Sequence, residues 1–470
     1  MPVIDAVQSF QGEERRLPIP PPGEHQPNSV AVSDRAGAEP AGVNRLNRLK
    51  RVEYIVSPTM PNPPRRRRRR GRLVGLLLLI LVLGAVLWQA NGAGGAFLAD
   101  VLRKVIGPTA TARVEATFLD ISDRLTSVKY QLGLDSVHSP WAAMPTPDPT
   151  PATTPGQSSS TRTAGQSAPT VVSLTPVLPR KVVITSMPLR PLHTFVSPTL
   201  PGEGIWTQEG LPGPAHGGLI PVAKAFIRPD PARPYALATI LQFDLRVTRL
   251  HMVAGIDEPG GAIGRPGTGV IPTADTTNGR LLAVLNGGFK YADGAYGLMT
   301  GGTTYVSPVW GAATIAVTKG DNVIMGSWGL DRRLTGADSR LVAWRQNAGL
   351  LIDHGRIASR TQDESNWGLS IMNSTYTWRS AIGLSNHRTL IYVAGSSLSA
   401  ATLAKTLLAA GAVSAMQLDI NPFWARAFTY THDATGQIVA TRLDPNMPGT
   451  GTEYLYGDVR DFFYLTRAAG

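Results

Sequence analysis

No cysteine occurs in the 470 residues, so neither a disulfide nor a thiolate metal site can stabilise this chain in any compartment. The 8 histidines are scattered, with no H-E-x-x-H spacing or similar cluster, which argues against a preformed histidine metal site. No P-loop, G-x-S-x-G elbow or dinucleotide fingerprint is present, so the usual signatures of nucleotide hydrolysis, serine esterase chemistry and hydride transfer are all missing. Acidic residues are outnumbered, giving a formal charge of +12, but the single run Arg65 to Arg70 supplies six of the positive charges. Basicity is therefore local, and no nucleic-acid partner is expected.

What is present is divided unevenly along the chain. Residues 1–72 are polar and proline-rich, with PIPPP at 18–22 and PNPP at 61–64, and show no sustained period of 2 or 3.6; they read as a disordered arm. Leu73 to Ala99 contains no charged residue, and its front, LVGLLLLILVLGAVLW, predicts a single transmembrane helix over 73–95. Arginines immediately before the span place the arm in the cytoplasm and the remainder in an extracytoplasmic space. The same arginines suit anionic headgroups, so the lipid bilayer is an expected partner.

Residues 96–136 predict a helical stalk, interrupted at Gly107-Pro108. Within it, Val114, Phe118, Ile121, Leu125, Val128 and Leu132 are spaced four, three, four, three, four, the alternation of a coiled-coil seam. The stretch 114–132 thus offers a route to a homo-oligomer, with packing on the chain's own folded domain as the alternative. Residues 137–177 are dominated by Pro, Thr and Ser and read as a linker, reaching on the order of 100 Å if extended at ~3.1 Å per residue.

Residues 178–470 carry the folded domain. Short β-like runs recur at 237–243, 250–254, 281–285, 313–317 and 323–325, separated by Gly, Pro and Asn turns, while helical patterns are few. The expectation is an α+β domain built around a mixed sheet. Its most informative stretch runs from Arg379 to Trp424. Ala381–Leu384 and Thr389–Val393 predict a hairpin across Ser385-Asn386-His387-Arg388, followed by a helix capped at Ser397 or Ser399 and stopped at Gly411. Val413–Leu418 then returns as a strand, parallel to the one ending at Val393. Asp419 stands just past its carboxyl end, where open α/β sheets tend to bind ligands.

Several residues are candidates for chemistry, each with two readings. Asn286-Gly287-Gly288-Phe289 follows an apolar strand; its glycines admit close backbone approach to a ligand, or merely make a tight turn. Arg379 is suited to bidentate grip of a phosphate or carboxylate, or to a structural ion pair. Asp419 is either a reactive carboxylate or an acceptor for backbone N–H groups. Asp353, His354 and Gly355 read as turn formers, and Asp257-Glu258 as loop. Asp or Asn ligands leave a divalent cation open, with no spacing that supports one.

Taken in order, AVLNGGF (283–289), YGLM (296–299), QNAGLLIDHGRI (346–357), RSAIGL (379–384), LIYVAG (390–395) and AMQLD (415–419) resemble the phosphodiester glycosidase family over roughly residues 220–465. By this resemblance Asn286, Gly287 and Phe289 correspond to its N-G-x-F motif, Arg379 to the arginine of R-T-A-x-G, and Asp419 to the aspartate of L-D-G-G-G-S. The resemblance implies hydrolysis of a sugar phosphodiester or related cell-envelope glycan. Arg379 and the amides of the Asn286-Gly287-Gly288 turn would hold the phosphodiester, and Asp419 would act as base or nucleophile toward the sugar carbon, or through a bound cation.

One motif departs. Where the family has glycines and a serine, this chain has Ile420-Asn421-Pro422-Phe423-Trp424. Pro422 removes an N–H and fixes φ, so an anion nest cannot be reproduced there unchanged. Asn421 is a replacement donor, and Phe423 and Trp424 are either an aromatic platform for a sugar face or core. The alternative function is a non-catalytic glycan-binding module with a degenerate site.

Overall fold

The structure is a computed structural model that describes residues 121–141, 187–215, 218–336, 338–363, 366–367 and 376–468. The expected arm, the membrane span at 73–95, residues 96–120 of the stalk and residues 142–177 of the linker lie outside the described residues. Among the described residues no helix is long and apolar enough to cross a membrane.

Among the described residues seventeen strands follow in chain order. They are β1 (Val222–Ile227), β2 (Ala238–Asp244), β3 (Thr248–Val253), β4 (Leu281–Asn286), β5 (Leu298–Thr300), β6 (Thr303–Val306), β7 (Ala313–Thr318), β8 (Val323–Ser327) and β9 (Leu341–Asn347). After them come β10 (Leu350–Asp353), β11 (Arg356–Ile357), β12 (Thr377–Leu384), β13 (Thr389–Leu398), β14 (Ser414–Gln417), β15 (Ala427–His432), β16 (Ile438–Arg442) and β17 (Phe462–Arg467). They form a seven-stranded sheet, β1-β2-β13-β12-β14-β10-β11, and two five-stranded sheets, β16-β15-β4-β17-β3 and β6-β5-β9-β7-β8.

The expected mixed sheet is corrected: every pairing between these strands is antiparallel. β13 and β14 do run parallel in one sheet, but β12 lies between them and pairs antiparallel with both. The β-helix-β pattern in the sequence therefore marks a crossover that skips one strand, and the domain is a helix-poor antiparallel structure.

The chain's alternation decides which side chains meet. Along β12 and β13, Ile382, Leu390, Tyr392 and Ala394 enter a central core shared with Leu285, Phe463, Ile315 and Ala343 of the other two sheets. Ala381, Ile391 and Val393 point the other way and pack with Leu403, Ala404 and Leu407 of the helix Ala400–Ala409. That helix starts on a reciprocal cap in which Ser399 Oγ accepts from Thr402 N and Thr402 Oγ1 accepts from Ser399 N. It ends before Gly411, whose φ of +94° is open to glycine and strained for other residues. Asp353, His354 and Gly355 do form the β10–β11 turn, with His354 and Gly355 both at positive φ.

Candidate active site

A cleft opens where the end of β14 in the seven-stranded sheet faces the end of β4 and the start of β17. It is lined by Asn286, Gly287, Asp419, Trp424, Arg426, Tyr454, Asp458, Arg460 and Asp461 and encloses about 210 Å³, counting the space at its mouth. Of that space, what water can enter amounts to about one molecule.

The two sheets are joined at Asn286. Its Oδ1 accepts from the Tyr392 hydroxyl of β13 at 2.7 Å, and its Nδ2 donates to Gly287 O at 2.8 Å. The glycines that follow are needed for close approach, but to the protein itself. Gly287 N donates to Asp461 O at 3.0 Å, and Gly288 N donates to Asp461 Oδ2 at 3.2 Å. A Cβ on Gly287 would lie 2.1 Å from Asp461 Oδ2. The amides of Gly287 and Gly288, expected to hold a ligand anion, are thus both directed at Asp461 in this structure. Phe289 is buried, and its carbonyl accepts from Arg345 Nη2 at 2.7 Å.

Asp419 stands in the cleft, almost fully buried. Its Oδ2 accepts from Arg460 Nη2 at 2.9 Å, while Oδ1 accepts from Ile420 N at 2.7 Å and Asn421 Nδ2 at 3.0 Å. Burial pushes its carboxyl above the ordinary range, and the Arg460 guanidinium opposes that rise. The backbone of Asp419 is held by Ser380: Ser380 N donates to Asp419 O at 2.9 Å, and Ser380 Oγ accepts from Asp419 N at 3.1 Å. The RSAIGL segment therefore reaches the cleft through its serine.

Arg379, one residue earlier on β12, shares the face of Ala381 and lies on the helix side of the sheet. Its Nε donates to Leu398 O at 3.0 Å and its Nη1 to Gln417 Oε1 at 2.7 Å, and it does not line the cleft. Strand alternation turns this guanidinium, expected to grip a phosphodiester, to the face of the sheet opposite Ser380.

Three arginines pair with carboxylates around the cleft instead. Arg460 meets Asp419; Arg345 grips Asp461 through Nε at 2.7 Å and Nη2 at 3.2 Å; Arg426 spans Asp458 at 2.5 Å and Glu453 at 3.2 Å. Burial raises the carboxyl of Asp458 as well, against the pull of Arg426. Arg460 differs from the other two in one respect: its Nε is buried and has no hydrogen-bond partner among the described residues. A donor left in this way is a natural point for a ligand oxygen or a water.

The divergent loop closes over these groups. Asn421 Oδ1 accepts from Phe423 N at 3.0 Å and Trp424 N at 3.1 Å, so this residue folds the loop and braces Asp419, and it is not part of the lining. Trp424 does line the cleft. Its ring has Arg460 Cζ 4.7 Å, Arg426 Cζ 5.2 Å and Lys290 Nζ 5.8 Å from its centroid. Among the described residues no three His, Asp or Glu side chains are arranged to hold a metal ion.

Of the residues expected from sequence, the cleft brings together Asn286, Gly287, Asp419 and Trp424. The sequence reading missed Arg426, Tyr454, Asp458, Arg460 and Asp461. Their signal was present: Asp458, Arg460 and Asp461 alternate in sign directly before the wholly apolar run Phe462 to Leu465, the same strand-mouth placement that singled out Asp419.

Residues 279–419 match the sequence family described as phosphodiester glycosidase. No curated protein matches the chain. Among solved structures, the catalytic domain of zebrafish N-acetylglucosamine-1-phosphodiester alpha-N-acetylglucosaminidase, auto-inhibited by its pro-peptide, is similar with 14% identity and a TM-score of 0.35, over 55% of this chain and 87% of that one. A hypothetical protein from Synechocystis follows at 12% identity and a TM-score of 0.33, over 54% of this chain and 63% of that one. A putative exported protein from Burkholderia pseudomallei has 10% identity and a TM-score of 0.27, over 49% and 74% respectively.

Proposed function

From the premise that residues 279–419 carry the likeness to phosphodiester glycosidases, we propose that this chain is a hydrolase of a sugar phosphodiester or a related cell-envelope glycan. The observation that supports it most is the buried Asp419–Arg460 pair, which sets a carboxylate of raised basicity beside a guanidinium with an unused donor. In this reading Asp419 is the general base. It takes a proton from water as the water oxygen bonds to the anomeric carbon, the bond from that carbon to the phosphoryl oxygen breaks, and its electron pair leaves with the phosphate monoester. Arg460 meets the leaving phosphoryl oxygens. A phosphate monoester is a good leaving group, so a second carboxylic acid is dispensable.

The apolar span at 73–95 and the Pro/Thr/Ser linker at 137–177 support placing this domain outside the cytoplasm, on a tether in the cell membrane. The glycan-binding alternative is favoured by the narrow cleft and the Trp424 loop that covers it. Purified chain is incubated with a panel of sugar-1-phosphodiesters, α-N-acetylglucosaminyl ones included, and free sugar is measured with and without divalent cations. Release that disappears in Asp419→Asn is the expected result. Glycan binding without release by the unaltered chain would transfer the assignment to a binding module.

A further inference from the structure

In the divergent loop Asn421 is followed directly by Pro422, the order in which a helical turn begins: asparagine at the N-cap, then proline at N1, where an N–H would have no partner in any case. The structure builds that turn. Asn421 Oδ1 accepts from Phe423 N at 3.0 Å and Trp424 N at 3.1 Å, and Asn421 O accepts from Ala425 N at 3.2 Å. Pro422 therefore stands where the backbone needs no donor. Trp424 falls at N3 of the turn, and its indole reaches the cleft with Arg460 Cζ 4.7 Å and Arg426 Cζ 5.2 Å from the ring centroid.

The nitrogen of the same amide turns to the buried carboxylate. Asn421 Nδ2 donates to Asp419 Oδ1 at 3.0 Å, and Ile420 N donates to that oxygen at 2.7 Å. Oδ1 is thus held by two donors, whereas Oδ2 has Arg460 Nη2, at 2.9 Å, as its one partner among the described residues. A carboxylate oxygen has two lone-pair sites, so Oδ2 retains one that can take a proton. Among the ionisable groups on the elements around Asp419, Arg460 favours the charged form and Asp293 opposes it, and Tyr392 of β13 is close enough for the carboxylate to raise the pKa of its hydroxyl. Asn421 adds a neutral donor to that set.

We propose that Asn421 is a positioning residue for hydrolysis: its amide oxygen folds the turn that carries Trp424, and its amide nitrogen fixes the orientation of Asp419, so one side chain sets both the base and the indole. This rests on the reading of Asp419 as general base. Asn and Asp cap a helical turn about equally well, but of the two only Asn has an N–H to give to a carboxylate, and that N–H is the one used here. The loop that replaces the family's glycines is accordingly a rebuilt wall of the cleft and not a degenerate one.

Asn421→Asp separates the two bonds, because it retains the cap and sets a second carboxylate against Asp419 in place of the donor. On the full chain in mild detergent, Tm at neutral pH is expected to fall by about 5 °C in Asn421→Asp, and the same change made in an Asp419→Asn background is expected to be nearly neutral, since the donor then comes from the other side. This cycle is read without turnover, so it distinguishes failure of the positioning role from failure of the hydrolase reading. On a sugar-1-phosphodiester that the unaltered chain hydrolyses, Asn421→Asp is expected to lower kcat about tenfold at neutral pH and to move the acidic limb up by about one pH unit, with KM within about twofold because Trp424 keeps its turn. Asn421→Ala, which loses the cap as well, is expected to lower kcat and raise KM together. An Asn421→Asp chain with unaltered Tm, an equal loss of Tm in both backgrounds, or an acidic limb that does not move would each overturn the proposal. Absence of turnover in the unaltered chain would remove the base role, and the Tm cycle would still show whether the amide holds Asp419.

Discussion

Asp419 Oδ2 and Arg460 Nη2 lie 2.9 Å apart, although their strands belong to different sheets and 41 positions separate them in sequence. Burial and the guanidinium pull the carboxyl in opposite directions, and burial prevails, so its pKa is raised. An acidic limb in the pH profile of hydrolysis is therefore expected above the ordinary aspartate range, because the base must be ionised to act. Removing the cation in Arg460→Ala moves that limb further up. A limb at the ordinary carboxylate position, or one unchanged by Arg460→Ala, would remove Asp419 from the role of base.

The same shifts set how stability responds to pH. Asp419, Asp458 and Glu258 all have raised pKa values with burial as the largest cause, so the fold favours their protonated forms. Their contribution is complete below the unfolded carboxylate pKa and is lost as pH climbs through the folded values. Thermal unfolding followed from acid towards neutral pH should show this loss, and Asp419→Asn should flatten part of the slope. A slope unaltered in Asp419→Asn would show that the buried carboxyl is not titrating.

Gly287→Ala tests the packing of the strand ends. A Cβ there would lie 2.1 Å from Asp461 Oδ2 and 2.4 Å from Asp461 O, in a place where φ is not the obstacle. The side chain must displace a carboxylate that Arg345 holds bidentately, and separating a buried pair of this kind costs about 3–5 kcal/mol. A large fall in Tm is expected, measured by calorimetry. A variant as stable as the unaltered chain would mean that the turn is looser than the Asp461 contacts require.

Local patterns carried much of this fold in the sequence. The β12–β13 hairpin, the capped helix and the strand leading to Asp419 depend on turn residues, a Ser cap and a Gly stop, all within one short window. Sheet order was not legible, because nothing local tells β14 to join β12 rather than β13. The same limit hid Arg460: its pairing with Asp419 depends on β17 lying beside β4, a contact between remote segments. Arg379 lies away from the cleft for a finer reason: a one-residue difference in strand phase separates it from Ser380, which does hold Asp419.

Trp424 sits above Arg460, Arg426 and Lys290, and each such contact contributes about 0.5–1 kcal/mol when exposed and about 2 when desolvated. If a sugar face stacks there, Trp424→Ala should raise KM about tenfold with kcat less affected, and Trp424→Phe should restore part of the loss. Steady-state kinetics on the substrate found active separates the two constants. A lower KM in Trp424→Ala would instead identify the indole as a cover that substrate must displace.

Arg379 and Arg460 are both buried arginines, yet the structure assigns them different work, and one pair of variants distinguishes them. Arg379 bonds to Leu398 O and Gln417 on the helix side of the seven-stranded sheet, so Arg379→Ala should cost about 3 kcal/mol of stability through stranded buried acceptors. The folded fraction should keep its kcat/KM within about tenfold, because no atom of Arg379 lines the cleft. Arg460→Ala strands Asp419 and also removes the donor proposed to meet the leaving phosphate, so it should lower kcat by about 10²–10³. Tm and kcat/KM measured on both variants give the comparison. Loss of kcat/KM in Arg379→Ala with an unchanged Tm would mean that the guanidinium acts on substrate after all, and the strand phase that turns it from the cleft would have to be abandoned.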